Sequence, residues 1–392
     1  MPFFPALPNS RSVGHAFKIL FAERNPACGR GLSDHGVHDL SVIDEYSDFL
    51  QTAYDALTGA ALRWPPLTGL PVMVRVYALD GAYGFADLGP PSSMVLHSGG
   101  AEPRTADARA RRAATAVHEL THLMQFSRGA TLTWRWLNEA SATALETHVH
   151  PANRDAFQYL EPWICAPHRS LDVGEGYYSF PFVSYLMKIY DPTVVAAAYL
   201  RAGAGAGVQA IDALAAEVAS RQLRGGSSVA FASASNPDVF GSRYCRDAYF
   251  LSGDRGFLGG EIRARFGYRA VSESFCKYPV RHAAKDDPVD HLGCRYYRFR
   301  PTERRTRLQV TVALETAPAR QFLRVEMYAV RQSLRRGRAA AVTRDQNDDS
   351  VVLSLDEFHN DRMDHAVLII SNCAFGSGAP DNLTFRVSAH VA

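Results

Sequence analysis

The sequence predicts an α+β fold in which a mixed region of strands and helices, residues 1–285, is followed by an all-β sandwich, residues 286–392. Two observations lead to this prediction. Apolar residues recur every three or four positions in long segments before residue 275, and they alternate with polar residues after Cys294. At 392 residues the chain also exceeds the roughly 250 to 300 residues that a single core supports. More than one domain is therefore expected.

The first 100 residues are predicted to form a strand, a helix and two further strands. FKILF, at 17–21, is a short apolar segment, and apolar side chains recur at helical spacing over 42–57. VMVRVYAL, at 72–79, is rich in β-branched residues and is bounded by proline and Asp-Gly. SMVLHS, at 93–98, ends at a pair of glycines, so it is predicted to be a strand as well.

A long helix capped by Thr105 or Asp107 and ended by Gly129 closes the N-terminal α/β part, about 1–128. A second helix, ended by a proline, opens the helical part, about 129–285. YSFPFVSYLMKIY and VQAIDALAAEVASRQL are the clearest helical segments that follow. AGAGAG and GGSSVAFASASNP are typical of flexible joints between helices.

The C-terminal 100 residues contain strand-like segments without a helical interruption. In RLQVTVALE the apolar residues Leu308, Val310, Val312 and Leu314 alternate with less apolar ones. Four further segments have the same character: FLRVEMYAV, SVVLSL, HAVLIISN and LTFRVSAHV. This density of strands is typical of a β-sandwich.

Composition excludes several classes of function. The net charge of +2 arises from well-mixed charges, and the basic cluster Arg331–Arg338 is interpreted as a solvated loop, so no nucleic-acid partner is expected. No run reaches the roughly 18 apolar residues of a membrane span. The N-terminal residues do not have the pattern of a signal peptide, so the protein is either cytoplasmic or secreted with its leader removed, and we favour secretion. The six cysteines are compatible with three disulfides or with isolated core thiols.

The segment AATAVHELTHLMQF places two histidines and a glutamate inside an apolar helix. His118 and His122 are separated by about 40° of rotation and about 6 Å of rise, so both imidazoles can reach one metal ion. Glu119 lies about 100° further round, where it can act on a water molecule as general base. The alternative is a chance motif whose histidines are satisfied by hydrogen bonds within the core. Glu139, 17 residues after His122 on the next helix, is the predicted third ligand.

HELTH followed by WLNEASA resembles the gluzincin metallopeptidases, in which HExxH and a glutamate on a second helix hold zinc. WLNE is similar to the aminopeptidase branch, and the order of elements resembles bacterial secreted peptidases with a C-terminal β-sandwich. In specific motif the resemblance covers Val117–Gln125 and Trp136–Glu146. It implies a zincin-like catalytic region over residues 1–285 and one zinc ion held by His118, His122 and Glu139.

The chain departs from these families in two places. It has no GxMEN-like segment upstream of HELTH, which favours an endopeptidase over an aminopeptidase. Thr143 occupies the position of the aspartate that orients the first histidine in the thermolysin-like branch, so support for that histidine must come from elsewhere. Glu146, about 20° from Glu139 on the helical wheel, is the candidate.

The resemblance also implies a substrate-binding edge strand and a side chain that stabilises an oxyanion. SMVLHS precedes the metal-binding helix, as the edge strand of zincins does. The expected substrate-contacting residues are Met94, Val95 and Leu96. Tyr177 and Tyr178 are the candidates for the oxyanion donor, with His168 as an alternative.

The sequence therefore predicts a zinc-dependent peptidase that acts on a peptide or protein substrate, with Glu119 as general base. One alternative is a noncatalytic binding protein that keeps the zincin scaffold and uses the β-sandwich. Another is a zinc hydrolase with a non-peptide substrate. The oligomeric state is left open by the sequence.

Overall fold

A computed structural model places the chain in two compact units, the first formed by Met1–Tyr159 and Glu175–Glu217 and the second by Leu160–Gly174 and Val218–Ala392. The residues that the structure describes are 9–21, 37, 39–79, 83–87, 93–98, 105–130, 135–151, 153–172, 174, 176–204, 212–214, 216–218, 220, 244–250, 271–283, 288–301, 306–330, 342–346, 349–356, 358–359, 363–374 and 379–392. The protein is of mixed α+β class, and its C-terminal part is rich in sheet.

The first unit contains a mixed sheet. Its described strands are β1 (Asn9–Val13), β2 (Phe17–Phe21), β3 (Val72–Tyr77), β4 (Gly84–Asp87) and β5 (Ser93–His97). Their order is β1-β2-β3-β5-β4, with β2, β3 and β5 parallel and the two outer strands antiparallel to their neighbours. The sequence predicts the three central strands, which are apolar and buried. It misses β1 and β4, because outer strands carry polar and small residues that give no alternating apolar pattern.

The bounds of eight α-helices are described. They are α1 (Ser41–Thr58), α2 (Ala106–Phe126), α3 (Arg135–Val149), α4 (Leu160–Cys165), α5 (Phe180–Ile189), α6 (Val194–Ala204), α7 (Arg246–Phe250) and α8 (Ala317–Phe322). The predicted cap of α2 is confirmed, since the hydroxyl of Thr105 accepts a hydrogen bond from the Ala108 backbone N–H at 3.1 Å. Gly129 follows α2 in the left-handed region with φ of 80°.

The first three residues of the segment AGAGAG, 202–204, form the last turn of α6, and the other three fall outside the described residues. Gly203 lies so close to the backbone of Arg128 that a β-carbon at this position would collide with it. Small residues here serve close packing inside the first unit. GGSSVAFASASNP and part of VQAIDALAAEVASRQL fall outside the described residues.

The second unit contains two sheets. The described strands are β6 (Glu273–Phe275), β7 (Val280–Ala283), β8 (Cys294–Phe299), β9 (Leu308–Leu314), β10 (Leu323–Val330), β11 (Val342–Gln346), β12 (Ser350–Leu355), β13 (His365–Asn372) and β14 (Phe385–Val391). One sheet has the order β10-β13-β8-β6 and the other β11-β12-β9-β14-β7. The inward residues of both sheets form one hydrophobic core, among them Tyr297, Val310, Leu368 and Val387. This is the arrangement expected of a β-sandwich.

The division between the units differs from the predicted boundary at residue 285. β6 pairs with β8 and β7 pairs with β14, so strands from before residue 285 already belong to the two sheets. The segment Leu160–Gly174 also belongs to the second unit, although it lies within the part of the sequence that is predicted to be helical and catalytic. A change in the spacing of apolar residues reveals long strands with an alternating pattern. It does not reveal short strands whose partners are far away along the chain.

β11 and β12 pair antiparallel, and Asp349, just before β12, forms an ion pair with Arg320. The basic cluster Arg331–Arg338 falls outside the described residues. The five cysteines in the described part of the chain are free thiols. No helix in that part is long and apolar enough to cross a membrane.

A charge cluster around the buried His291 joins residues 170–172 to the sheet-rich part of the second unit. Nδ1 of His291 lies 2.6 Å from Oδ1 of Asp381, and its Nε2 lies 2.9 Å from Oδ2 of Asp172 and 3.1 Å from Oγ of Ser170. Burial opposes the charged ring, but the hydrogen bonds to the two aspartates raise the pKa of His291 to about 9. Both ring nitrogens therefore donate, and the ring has no free nitrogen with which to activate Ser170 as a nucleophile.

This cluster predicts a pH-dependent contribution to folding stability. A folded-state pKa of about 9, above the ordinary 6.5, means that the stabilisation is complete below about pH 6.5 and is lost as the pH rises through 9. His291→Gln removes the titrating group. The difference in unfolding free energy between the parent and His291→Gln, measured by denaturant titration, should therefore shrink as the pH is raised from neutral to above 9. A difference that stays constant over this range would contradict the assignment.

Candidate metal centre

The predicted ligands of α2 lie in its most buried stretch. From Ala113 onward nearly all residues of this helix are buried, and His118, Glu119 and His122 are only 8%, 6% and 7% exposed. Unpaired charges are costly in such surroundings, so these polar side chains must have partners. The partners come from α3, from β4 and from α2 itself.

His118, His122 and Glu139 converge on one point. Nε2 of His118 lies 3.1 Å and Nε2 of His122 lies 3.4 Å from the same oxygen, Oε2 of Glu139. The two imidazole rings are 4.6 Å apart between centroids. One possible ligand atom from each residue lies within 4.8 Å of the other two, so the group could hold a metal ion.

Glu139 reaches the histidines because α3 packs against α2. Its neighbours Trp136 and Leu137 are buried and fix the face that α3 presents. Glu139 is not a solvated surface residue, since its side chain is only 14% exposed and contacts both histidines.

Burial and hydrogen bonding shift the pKa values of Glu139 and His118 in opposite directions. Burial opposes ionisation of Glu139, but hydrogen bonds from His118 and His122 lower the pKa of this carboxyl well below its ordinary value. Burial also opposes protonation of His118, but hydrogen bonds to Glu139 and Glu146 raise the pKa of the imidazole well above its ordinary value. A buried site with this excess of carboxylates favours a cation, and a bound metal ion would take the place of the imidazole proton.

The outer nitrogen of each histidine has its own partner. Nδ1 of His118 is hydrogen-bonded to Oε1 of Glu146, the residue that the helical spacing predicts. Nδ1 of His122 lies 2.8 Å from Oε1 of Gln125. Thr143 is fully buried, and its hydroxyl has no hydrogen-bond partner among the described residues, so it does not orient a histidine. These contacts leave both Nε2 atoms directed at Glu139.

Glu119 lies between the two histidines and β4. Burial raises the pKa of its carboxyl, and a hydrogen bond from the backbone N–H of Ala86 together with the nearby histidines partly offsets this shift. A β-carbon on Gly84 would lie 2.9 Å from Cγ of Glu119 and 2.9 Å from Cγ2 of Thr115. Glycine at this position therefore lets β4 run directly alongside the carboxylate.

The prediction that the segment SMVLHS forms the edge strand of the sheet is wrong. β5, which contains Met94, Val95 and Leu96, is hydrogen-bonded to β3 on one side and to β4 on the other. These three residues are buried. β4 takes the outer position in the sheet as described, and it is β4 that passes α2 at Glu119. Sequence position alone does not reveal that a short strand earlier in the chain pairs outside a later one.

Tyr177 lies against the centre. Its ring stacks on His118 with centroids 5.9 Å apart and on Tyr159 at 4.8 Å, and its hydroxyl is hydrogen-bonded to Glu139. Gly176, with φ of 90°, precedes it and lies so close to the Trp136 backbone that a side chain there would collide with α3. This close approach brings Tyr177 to the ligands. Burial and the neighbouring carboxylates raise the pKa of its hydroxyl, which therefore stays protonated as a donor.

The other candidates for the oxyanion donor are Tyr178 and His168. Tyr178 is half-buried at the next position of the same turn, and its role remains a prediction. His168 belongs to the second unit, where its carbonyl accepts a hydrogen bond from the backbone N–H of Asp290 at 3.1 Å.

Sequence reasoning overlooks four residues that contribute to the candidate metal centre. Gln125 follows HELTH by three positions, a spacing that faces back to His122, and it could have been recognised from that spacing. The sequence could not have revealed the other three, Tyr159, Gly84 and Ala86, because they reach the metal centre only through tertiary contacts. Comparison of the chain with protein-family models, with curated proteins and with solved structures gives no match.

Proposed function

We propose that the protein is a zinc-dependent peptidase whose first unit is a catalytic region of the zincin type. The observation that carries the proposal is the convergence of His118, His122 and Glu139 in a buried site, with the carboxylate of Glu119 beside them. Two imidazoles and one carboxylate form a standard ligand set for catalytic zinc, which leaves one position for water. The donor atoms present therefore fit zinc.

Zinc bound by these three residues would supply a Lewis acid that polarises the scissile carbonyl and acidifies water. Glu119 accepts the proton of the attacking water at its carboxylate and delivers it to the nitrogen of the leaving amine. Its raised pKa suits this exchange, because a base must also release the proton it has taken. The hydroxyl of Tyr177 holds Glu139 in place, and it is near enough to the ligands to serve as the predicted oxyanion donor.

The outer edge of β4, as far as the structure describes the sheet, supports a peptide substrate. The backbone groups of successive strand residues point to opposite sides, and the N–H of Ala86 points away from β5 toward Glu119. An extended peptide that adds to this edge would be carried past the general base. We therefore assign the substrate-binding role to Gly84, Phe85 and Ala86 in place of the residues of β5. A peptide running along the edge is compatible with cleavage in the interior of a chain, as the sequence predicts.

The alternatives differ in testable ways. A noncatalytic binding protein has no use for a buried general base, so the retention of Glu119 argues against it. A zinc hydrolase with a non-peptide substrate shares the same ligands and base, and the edge of β4 favours a peptide over it. Removal of the metal, combined with assays on peptides and esters, distinguishes both alternatives from a peptidase.

Removal of the metal tests the proposal. The purified protein should contain close to one zinc ion per chain and should cleave unstructured polypeptides internally. A chelator should abolish cleavage, and added zinc should restore it. A parallel incubation with ester substrates identifies a non-peptide hydrolase. Zinc binding without cleavage of either class would favour the binding-protein alternative, and a protein without zinc affinity would contradict the proposal.

A further inference from the structure

Gln125 is a fully buried amide next to the metal ligands. Its Oε1 lies 2.8 Å from Nδ1 of His122. Its Nε2 lies 3.1 Å from the backbone oxygen of Asn138 and 2.9 Å from Oγ of Ser141. All of these partners are buried as well, so no water competes for the amide.

The hydrogen-bond partners determine which way the amide points. The backbone oxygen of Asn138 can only accept a hydrogen bond. The hydroxyl of Ser141 donates to the backbone oxygen of Leu137 at 2.6 Å, so its oxygen is left to accept. Both groups on this side of Gln125 are acceptors and must face the NH₂ group. The carbonyl oxygen of Gln125 therefore faces His122, and the reverse orientation would bring acceptors against acceptors.

The amide direction in turn determines the tautomer of His122. A carbonyl oxygen accepts only, so the hydrogen atom must be on Nδ1 of the imidazole. Nε2, which lies 3.4 Å from Oε2 of Glu139 and is hydrogen-bonded to it, is then the ring nitrogen left for a metal ion. A metal ion that replaced the proton of this contact would be bound through the lone pair of Nε2.

The same amide links the two ligand-bearing helices. Gln125 is on α2, and its partners Asn138 and Ser141 flank Glu139 on α3. Tyr199 of α6 donates to Oδ1 of Asn138 at 2.7 Å and holds the far side of the network. Through these contacts the position of Glu139 along α3 is tied to the position of His122 on α2.

We propose that Gln125 is a positioning residue of the metal centre, which presets His122 with its proton on Nδ1 and holds α3 in register with α2. The inference deepens the proposed function, since it rests on a metal ion being the ligand for which the histidine is preset. The carboxylate of Glu146 does the corresponding work at His118. Gln125 orients His122 with a neutral group, which adds no negative charge to a site that already has several carboxyl groups.

The test compares Gln125→Met with Ser141→Ala. Methionine keeps the length of the side chain and removes the amide, whereas Ser141→Ala removes one acceptor of the network and leaves the contact to His122. Long-range ¹H–¹⁵N spectra of the metal-free, histidine-labelled protein at mildly alkaline pH report which ring nitrogen carries the proton. His122→Asn identifies the signals of His122 by their loss. Zinc affinity is measured separately by competition with a chelator.

In the parent and in Ser141→Ala, His122 is expected to carry its proton on Nδ1. In Gln125→Met this preference should be lost, and zinc affinity should fall about 10- to 100-fold. A parent protein in which Nδ1 of His122 carries no proton would overturn the proposal, and this measurement needs no variant to fold. An unchanged tautomer in Gln125→Met, or an equal loss in Ser141→Ala, would overturn it as well. None of these measurements uses hydrolysis, so they remain decisive even if the protein proves not to be a peptidase.

Discussion

Glu119→Gln is expected to keep its zinc and to lose hydrolysis by at least about 100-fold, the usual effect of removing a general base. The amide has the shape of the carboxylate and can still accept the hydrogen bond from the Ala86 N–H, so the local structure should persist. It cannot accept a proton from water. Since Glu119 is not among the three converging ligands, metal binding should be unaffected.

The measurement pairs zinc content with initial rates of peptide cleavage at saturating zinc. Asp107→Asn is the matched control, because it neutralises an exposed carboxylate in the first turn of the same helix. That control should match the parent in both quantities. Turnover by Glu119→Gln at the parental rate would contradict the mechanism in which Glu119 is the general base. Loss of zinc from this variant would instead make Glu119 a ligand.

Glu139→Ala should lose zinc affinity and hydrolysis together. The substitution removes the oxygen on which Nε2 of His118 and Nε2 of His122 converge, and it leaves only two ligands on α2. The affinity should fall by more than the 10- to 100-fold that loss of an outer hydrogen-bond partner typically costs. Excess zinc should restore only part of the activity, since the ligand set itself is incomplete.

Zinc competition titrations and cleavage rates measure these effects, and circular dichroism verifies that the variant is folded. His148→Ala is the control, because it removes an exposed side chain of a metal-binding type from the same helix. If Glu139→Ala kept zinc at the parental affinity, the third ligand would be a residue other than Glu139. Glu146 would then be the next residue to test, although in the structure it contacts the outer nitrogen of His118.

The two substitutions separate binding from catalysis because the structure gives the two glutamates different neighbours. Glu139 touches both imidazoles at Nε2, whereas Glu119 receives a backbone hydrogen bond from β4. A noncatalytic metal-binding protein would respond to Glu139→Ala in its zinc affinity and would have no turnover for Glu119→Gln to change.

Much of the fold follows from local patterns in the sequence. The β-branched segment VMVRVYAL contains β3, and the alternation of Leu308, Val310, Val312 and Leu314 predicts β9, whose apolar residues all face the core. Thr105 and Gly129 mark where α2 begins and where the chain turns after it. These signals are readable because caps, turns and periodicities act between residues close in sequence.

The order of the strands could not be predicted in the same way. β4 is four residues long, half-buried and rich in small residues, so it lacks a pattern of its own. It forms only because β5 offers a hydrogen-bonding edge and because Gly84 allows the approach to Glu119. The domain boundary has the same origin, since β7 is defined by its pairing with β14, about a hundred residues away along the chain.

By itself, then, the sequence determined the pair of histidines on one helix face, the adjacent glutamate and the candidate third ligand, because helical spacing fixes which side chains share a face. Only the tertiary structure decided that Glu139 reaches both histidines, that Glu146 reaches the outer nitrogen of His118, and that β4 rather than β5 passes Glu119. Those contacts join residues up to 33 positions apart, as from Ala86 to Glu119, and they depend on how helices and strands pack. The physical reason is that backbone periodicity is a local property, whereas the closure of a site is a property of packing.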